Sequence, residues 1–406
     1  MHGPTAGLII ANEEADDAPG LRAELSVTGQ SVVEHQARLL ARAGLRHIVI
    51  HAERLTAGLA AAVDRLRRDG LAVDIARSVA DLADRIGPDA RVLLIADALV
   101  TEPAAATALL RLPGPAILTL PNQPQYHAHE LIDPGARWAG VMLTDQAAIR
   151  QTAQMLGDWD FCSTLLRRAV QAHAAQVDAA ALAPMPLFMA ATDAGAALAA
   201  EGALAARAVQ HPTGLVDRHL FAPLVGRLAA PAMAARIDPA WLRLGMVTAW
   251  LAAALLALAG WPGAGLTLMM AAAPCWSLAR HLAALGQRSG GTDARWTLVR
   301  GGAAALALLA LGWVRSGGAT GLAAGWTPLA LALFILGLVA ALISHVHWLG
   351  PPPRRPLWLA EPDNMIWLIA PFAAAGWWEA GLIALAGHAL ASLLAVQRMA
   401  APARAH

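Results

Sequence analysis

The chain has 406 residues, of which 57% are hydrophobic and 15% are charged, and its mean hydropathy is +0.49. Soluble globular domains contain about 25% charged residues, so this composition excludes an ordinary soluble protein. The net charge of +1 conceals an uneven distribution, because residues 241–406 contain only four acidic residues, ten arginines and 12 of the 14 tryptophans. All 30 basic residues are arginine, which excludes Schiff-base lysine chemistry and a P-loop lysine.

The first part of the chain alternates short apolar runs with helical patterns. The predicted strands are 6–11, 46–51, 71–75, 91–97 and 116–120. The predicted helices are 30–44, 57–69, 78–86 and 103–112. Continuous apolar strands that alternate with helices indicate a parallel sheet covered by helices on both faces. The sequence therefore predicts a Rossmann-like α/β domain over residues 1–180.

Two polar residues lie at the carboxyl ends of predicted strands, where ligands bind in such folds. Asn12 follows the first strand and Asp97 ends the fourth. An aspartate at this position can hold a divalent cation that bridges nucleotide phosphates. The alternative is that Asp97 only caps the following helix.

The segment LSVTGQSVVEHQ at 25–36 and the later string AGLRHIVI resemble the sugar-phosphate nucleotidyltransferases over about residues 6–172. The resemblance implies a nucleotide on a glycine-rich loop, a Mg²⁺ ion held by Asp97, and Arg22 at the position of the family's lysine. The loop departs from the family pattern, because 12–20 reads NEEADDAPG and its four carboxylates would repel a triphosphate. We therefore expect Asp97 and Arg22 to be remnants of a nucleotide site, in a domain that does not make sugar nucleotides.

The second part of the chain contains apolar runs long enough to cross a hydrocarbon core, which requires about 20 helical residues. Six spans are predicted, at 242–260, 264–282, 296–314, 326–346, 364–378 and 381–397. They form an all-α membrane domain at 238–400, with a linker predicted at 181–216. Residues 217–237 are predicted to form a juxtamembrane interfacial helix, because three arginines lie there among leucine and phenylalanine. A linker helix packed on the α/β domain is the alternative.

The arginines also predict the orientation of the membrane domain. Eight of the ten in residues 241–406 are in the tail or are in, or within five residues of, the connections after the second and fourth spans. The positive-inside rule then places both termini in the cytoplasm, and the first residues do not resemble a signal peptide. We expect the inner membrane of a bacterium, with the N-terminal domain and the C-terminus cytoplasmic. The acidic N-terminal part lacks a basic stripe, which argues against nucleic acid as a partner.

The membrane part resembles the CDP-alcohol phosphatidyltransferases, whose motif is D-x2-D-G-x2-A-R-x8-G-x3-D-x3-D. The resemblance implies four aspartates that bind divalent metal and activate an acceptor hydroxyl. Here Ala279, Arg280 and Asp293 match the motif. The other three motif aspartates are replaced by Ala272, Cys275 and Thr297. The motif glycine that follows the second aspartate is replaced by Trp276. The order of the two domains is similar to bifunctional enzymes that form CDP-inositol and transfer it to a second inositol phosphate.

These departures favour a catalytically degenerate member of the fusion family, a partner or regulator in phospholipid headgroup synthesis. The resemblance to the family implies a homodimer, or a heterodimer with an active paralogue. Binding of a CDP-alcohol or a nucleotide stays possible. The alternative is an active transferase with a rearranged site, and a transporter is the weakest interpretation.

We expect no cofactor, or Mg²⁺ or Mn²⁺ if the protein is active. Arg280 and Asp293 are the residual catalytic candidates. The metal candidates are Asp293, His281, His345, His347, Glu361 and Asp363.

Overall fold

Alternating strands and helices form the first part of the molecule and helices alone form the second. The computed structural model describes residues 5–17, 19–155, 159–182, 185–209, 213–235, 237–286, 292–317, 327–349 and 356–400. The chain divides into two compact units. The N-terminal unit comprises Met1–Ala206 and Leu285–Arg288, and the helical unit comprises Arg207–Ala284 and Ser289–His406.

The strands of the N-terminal unit are β1 (Thr5–Ile10), β2 (Ser26–Val27), β3 (Gln30–Ser31), β4 (His47–His51), β5 (Ala72–Ala76), β6 (Arg91–Ile95), β7 (Leu99–Thr101), β8 (Ala116–Pro121), β9 (Leu131–Asp133), β10 (Ala136–Asp145), β11 (Ala175–Asp178) and β12 (Phe188–Ala190). Its helices are α1 (Val32–Arg42), α2 (Ala57–Arg68), α3 (Val79–Arg85), α4 (Pro103–Leu110), α5 (Gln146–Met155), α6 (Phe161–Gln171) and α7 (Ala194–Val209). All five predicted strands and all four predicted helices are present. The stretch predicted as a linker, 181–216, contains β12 and α7.

The main sheet is mixed, although the sequence predicts a parallel one. Its order is β11-β8-β10-β6-β1-β4-β5, with β9 beside β10. The pairs of β1 with β4 and β6, of β4 with β5 and of β8 with β11 are parallel, whereas β10 runs antiparallel to β6 and β8. The prediction missed three strands of this sheet, β9, β10 and β11. The strands β9 and β10 pair antiparallel because only Pro134 and Gly135 join them, whereas a parallel pair needs a crossover of a dozen or more residues.

Alternate residues of the central strands face two separate cores. Ile9 and Ile50 pack with residues of α1, α2 and α4 in one core. Leu8 and Val49 pack with residues of α3, α5 and α6 in the other. The strands are apolar on both faces because helices cover both, which is why they read as continuous hydrophobic runs.

The helical unit begins with a π-helical turn, Asp217–Phe221. Its α-helices are α8 (Ala222–Ala234), α9 (Pro239–Leu258), α10 (Pro262–Leu285), α11 (Thr292–Arg315), α12 (Thr327–Leu349), α13 (Pro362–Ala374) and α14 (Trp378–Ala400). Each predicted span corresponds to one of the helices α9–α14. The predicted interfacial helix corresponds to the π-helical turn and α8.

Four helices in the described part of the chain, rather than the six predicted, are long and apolar enough to cross a membrane. They are the segments Pro239–Leu258, Arg295–Arg315, Thr327–Val346 and Trp378–Met399. The helix α13 has only 13 residues, too few for a hydrocarbon core of about 30 Å. The helix α10 has 24 residues but is not among the four.

Glycines bring pairs of these helices close together. A Cβ atom on Gly265 of α10 would lie 2.6 Å from the backbone oxygen of Ala253 on α9. A Cβ atom on Gly312 of α11 would lie 2.8 Å from the Cβ of Ala332 on α12. Small residues at such contacts let helix backbones approach, which is the usual mode of packing for helices in lipid.

Candidate functional site

The carboxyl ends of β1, β4 and β6 lie at the same edge of the main sheet. Asp97 follows β6, and its Oδ2 atom accepts hydrogen bonds from the backbone N–H groups of Asn12 (2.6 Å) and Glu13 (2.7 Å). The carboxyl group therefore holds the segment that follows β1 rather than a helix amino terminus. Asp97 and Asn12, both selected from the sequence, are in direct contact.

Burial and, to a smaller degree, the charge of Glu13 raise the pKa of Asp97 to about 7, although the two backbone hydrogen bonds lower it. The Oδ1 atom is buried and has no hydrogen-bond partner among the described residues. Near neutral pH the group is thus divided between its protonated and its charged form.

His51, the last residue of β4, extends this cluster. The side-chain amide of Asn12 donates to its Nδ1 atom at 2.9 Å, and the Asn12 Oδ1 atom accepts from the backbone N–H of Glu53 at 2.9 Å. Burial lowers the pKa of His51, so the ring is neutral at pH 7. Its Nε2 atom is buried without a hydrogen-bond partner in the described part of the chain. Sequence reasoning missed His51, although the strand-end rule that selected Asp97 applies equally to it.

The acidic loop after β1 pairs with arginines. Arg22 lies 2.7 Å from Asp16 and 3.9 Å from Glu13, and Arg54 lies 2.8 Å from Glu14. Arg22, predicted to be a remnant of a triphosphate site, is therefore engaged by carboxylates of the loop itself. Its charge is directed at the protein rather than at a phosphate.

In the helical unit, the motif positions on α10 are packed as core. Trp276 is 5% exposed, and Ala272 and Cys275 belong to the same hydrophobic cluster. The guanidinium carbon of Arg300 lies 4.8 Å from the centroid of the Trp276 ring, and that of Arg243 lies 5.8 Å from it. Both cations are within the range of a cation–π contact. These side chains supply aromatic carbon and positive charge where Mg²⁺ or Mn²⁺ would need oxygen, so they do not fit the metal.

Asp363, a predicted metal ligand, forms an ion pair with Arg300. Its Oδ1 atom lies 2.6 Å from an Arg300 nitrogen, and both side chains are less than a tenth exposed. The Arg300 guanidinium also lies 5.3 Å from the centroid of the Trp250 ring. The pair joins α11 to α13, and Asp363 therefore balances an arginine in this structure.

Arg280, a predicted catalytic residue, pairs with the buried Asp217 of the π-helical turn at 2.6 Å. Asp217 also accepts hydrogen bonds from the hydroxyl of Ser277 (2.5 Å) and the backbone N–H of Thr213 (2.9 Å). Burial would raise the pKa of Asp217, but the charge of Arg280 and these hydrogen bonds bring it below its ordinary value. The sequence placed Asp217 only at the start of an interfacial helix, and nothing in the local pattern identified Arg280 as its partner.

The remaining metal candidates are distributed over α10, α11, α12 and the start of α13. His281 is buried on α10, the half-buried His345 lies on α12, and Glu361 is the N-cap residue of α13. Asp293 lies in α11 and His347 in α12, but their side chains are outside the described residues. Among the side chains that are described, no group of three or more His, Cys, Asp or Glu residues could hold a metal ion.

No protein-family model matches the chain, and no curated protein sequence matches it. Among solved structures, it is similar to a Bacillus anthracis protein assigned as a glucose-1-phosphate thymidylyltransferase and crystallised in complex with sucrose. The two share 13% sequence identity with a TM-score of 0.37, and the similarity covers 49% of this chain and 94% of that chain. At this level the similarity says nothing about activity.

Proposed function

We propose that this chain is a membrane protein of the CDP-alcohol phosphatidyltransferase type that has lost catalysis and acts as a partner or regulator in phospholipid headgroup synthesis. The observation that carries the proposal is the packing of Trp276 against the guanidinium groups of Arg300 and Arg243. Four apolar helices long enough to cross a membrane support the membrane location.

Electrostatics supports the loss of metal-dependent catalysis. Two unit charges of the same sign repel by about 1 kcal/mol at 4 Å even in water, and by more where the dielectric constant is low. A dication placed beside Trp276 would meet this repulsion from Arg243 and from Arg300, whose charge Asp363 offsets in part. The motif positions Ala272 and Cys275 offer it no oxygen ligand.

The proposed arrangement has the N-terminal unit and the C-terminus in the cytoplasm of a bacterium. It rests on the concentration of arginines in two connections and the tail, where the positive-inside rule expects them. The proposed assembly is a homodimer or a heterodimer with an active paralogue. In the N-terminal unit, Arg22 pairs with carboxylates of the loop after β1. This pairing supports the proposal that the unit does not bind a triphosphate in the manner of the nucleotidyltransferases.

An activity assay on the purified full chain tests this proposal. With Mg²⁺ or Mn²⁺ present, we expect no transfer from CDP-inositol, CDP-choline or CDP-diacylglycerol to inositol phosphate, diacylglycerol or glycerol phosphate acceptors. A co-expressed active transferase should co-purify with the chain, and its turnover should change when the chain is present. Metal-dependent turnover by the chain alone would overturn the proposal.

A restoration variant tests the assignment of the motif positions. Ala272→Asp, Cys275→Asp, Trp276→Gly and Thr297→Asp together should create a site for Mn²⁺, detectable by electron paramagnetic resonance. Adding Arg300→Gln should strengthen binding, because it removes a repelling charge. Trp276→Gly alone is the matched control, since it opens space without adding a carboxylate. Equal Mn²⁺ binding by the control and the full variant would show that the positions are misassigned.

A further inference from the structure

A tight turn carries Asp97 from the end of β6 to the start of β7. The backbone N–H of Leu99 donates to the carbonyl oxygen of Ala96 at 3.4 Å, so Asp97 and Ala98 are the central residues of the turn. Ala98 has a φ of 52°, in the left-handed region that residues other than glycine rarely adopt. The direction of the Asp97 carboxyl group therefore depends on a backbone conformation that Ala98 does not favour by itself.

Gln36 of α1 holds this turn. Its Nε2 atom donates to the carbonyl oxygen of Ala96 at 2.9 Å and to that of Leu99 at 3.0 Å. These are the two carbonyl groups that flank the central residues of the turn. The Gln36 side chain is only 1% exposed, so water does not replace these hydrogen bonds if the amide is removed. Both N–H groups of the amide are thus used on the turn.

The turn in turn sets the position of the loop after β1. The Asp97 Oδ2 atom accepts hydrogen bonds of 2.6 Å from the N–H of Asn12 and 2.7 Å from that of Glu13, at the base of the loop. Farther along the loop, the N–H of Asp16 donates to the carbonyl oxygen of Thr192 at 3.0 Å. A change in the turn is therefore passed first to Asn12 and Glu13.

We propose that Gln36 is a positioning residue, which stabilises the left-handed conformation of Ala98 and thereby directs the carboxyl group of Asp97 at the N–H groups of Asn12 and Glu13. The helix α1 acts on the loop at the edge of the sheet through Asp97. This inference does not depend on the proposed partner role, because it concerns the α/β unit and no transfer chemistry.

Two buried glutamines provide a matched pair of variants. Gln36→Met keeps the approximate length of the side chain and removes its two donated hydrogen bonds. Gln146 is 5% exposed and donates at 2.9 Å to a backbone carbonyl group of α3, and its own N–H bonds to Ala90, at the opposite end of β6 from Asp97. Gln146→Met therefore removes a similar buried hydrogen bond away from the turn. Ala98→Gly, added to Gln36→Met, relieves the turn, because glycine adopts positive φ readily.

The backbone amide of Asn12 reports the position of Asp97. The chain has three asparagines, and only Asn12 follows an alanine. The full chain in detergent, labelled with ¹³C at alanine carbonyl carbons and with ¹⁵N in asparagine, therefore gives one signal in a carbonyl-selected nuclear magnetic resonance spectrum. Gln36→Met should move this signal and accelerate exchange of the Asn12 amide hydrogen by about tenfold or more, as expected for a lost hydrogen bond to a carboxylate. Gln146→Met should change neither, and the double variant with Ala98→Gly should recover both.

Three outcomes would overturn the proposal. The first is an Asn12 signal and exchange rate that Gln36→Met leaves unchanged. The second is an equal change in Gln36→Met and Gln146→Met, because that is a general loosening of the unit. The third is no recovery, or no folded protein, in the double variant, because Gln36 then serves the packing of α1 rather than the turn.

If Gln36→Met alone does not fold, the double variant is compared directly with the unmodified chain. An unchanged Asn12 signal then supports the proposal, and a displaced one overturns it. None of these readouts uses a CDP-alcohol, so failure here and failure of the proposed function are distinguishable.

Discussion

At the scale of single residues, buried polar groups determine what each unit can bind. Asp97 is held by two backbone N–H groups, and burial raises its pKa to about 7. Arg300 lies against two tryptophan rings and one aspartate. In both places a charged side chain has its partner within the protein, and an ionic ligand would have to displace or share that partner.

Asp97→Asn should stabilise the central strands at high pH and leave them unchanged at low pH. Because the pKa of Asp97 is raised on folding, its stabilising contribution is complete below about pH 4 and is lost as the pH rises through about 7. The asparagine mimics the protonated form, so its advantage at pH 8 is at most about 4 kcal/mol. Amide hydrogen exchange of β1 and β6 in the full chain, compared at pH 5 and pH 8, measures it. An advantage independent of pH would contradict the titration of Asp97.

At the scale of elements, buried ion pairs connect helices to their neighbours. Glu34 closes the amino terminus of α1 through a capping box with Ser31, and it accepts two hydrogen bonds of 2.9 Å from Arg65 of α2. Burial would raise the pKa of Glu34, but the hydrogen bonds from Arg65 and Ser31 lower it to about 2. In the helical unit, the pair of Arg300 and Asp363 connects α11 to α13 in the same way.

Glu34→Gln should destabilise α1 by up to about 3 kcal/mol at pH 6, since the pKa of Glu34 is lowered by about 2.5 from 4.5. The contribution is present above pH 4.5 and disappears as the pH falls towards 2, so the variant and the unmodified chain should converge in acid. Hydrogen exchange of α1 amides reports the loss. Asp81→Asn is the control, because its pair with Arg85 is solvent-exposed and should contribute little. Equal effects of the two substitutions would contradict the role of burial.

Asp363→Asn should destabilise the helical unit by about 3–5 kcal/mol, because it leaves Arg300 buried without a counter-charge. The double variant Arg300→Met with Asp363→Leu should lose less, since neither position then carries a buried charge. The melting temperature of the full chain in detergent measures both. If the two losses are equal, the pair is not coupled and the ion pair does not hold α11 to α13.

At the scale of the whole molecule, an α/β unit is combined with a helical unit whose described residues include four candidate membrane spans. An even number of spans places the two termini on the same side of a membrane. We expect the cytoplasm, because arginines are concentrated in two connections and in the tail. Green fluorescent protein should fluoresce when fused to either end, and alkaline phosphatase at either end should be inactive. The opposite result at one end would indicate an odd number of crossings.

Local patterns in the sequence were sufficient for most of the elements. Apolar runs and caps predicted the strands from β1 to β8 that form the parallel part of the sheet, and the helices between them. Asp160, immediately before α6, caps that helix by accepting a hydrogen bond of 2.6 Å from the backbone N–H of Ser163. The strand β10 was not predicted, and the mixed character of the sheet was therefore missed as well. Its pairing with β6 and β8 joins distant parts of the chain, and a local pattern contains no information about such pairing.

The sequence by itself determined the two kinds of structure and the edge of the sheet where Asp97 lies. These follow from local periodicity, strand direction and residue type. Only the tertiary structure decided that Arg280 pairs with Asp217 and that Asp363 pairs with Arg300. Each of these depends on which side chains from distant parts of the chain meet in a low-dielectric interior, where a charge must find a partner.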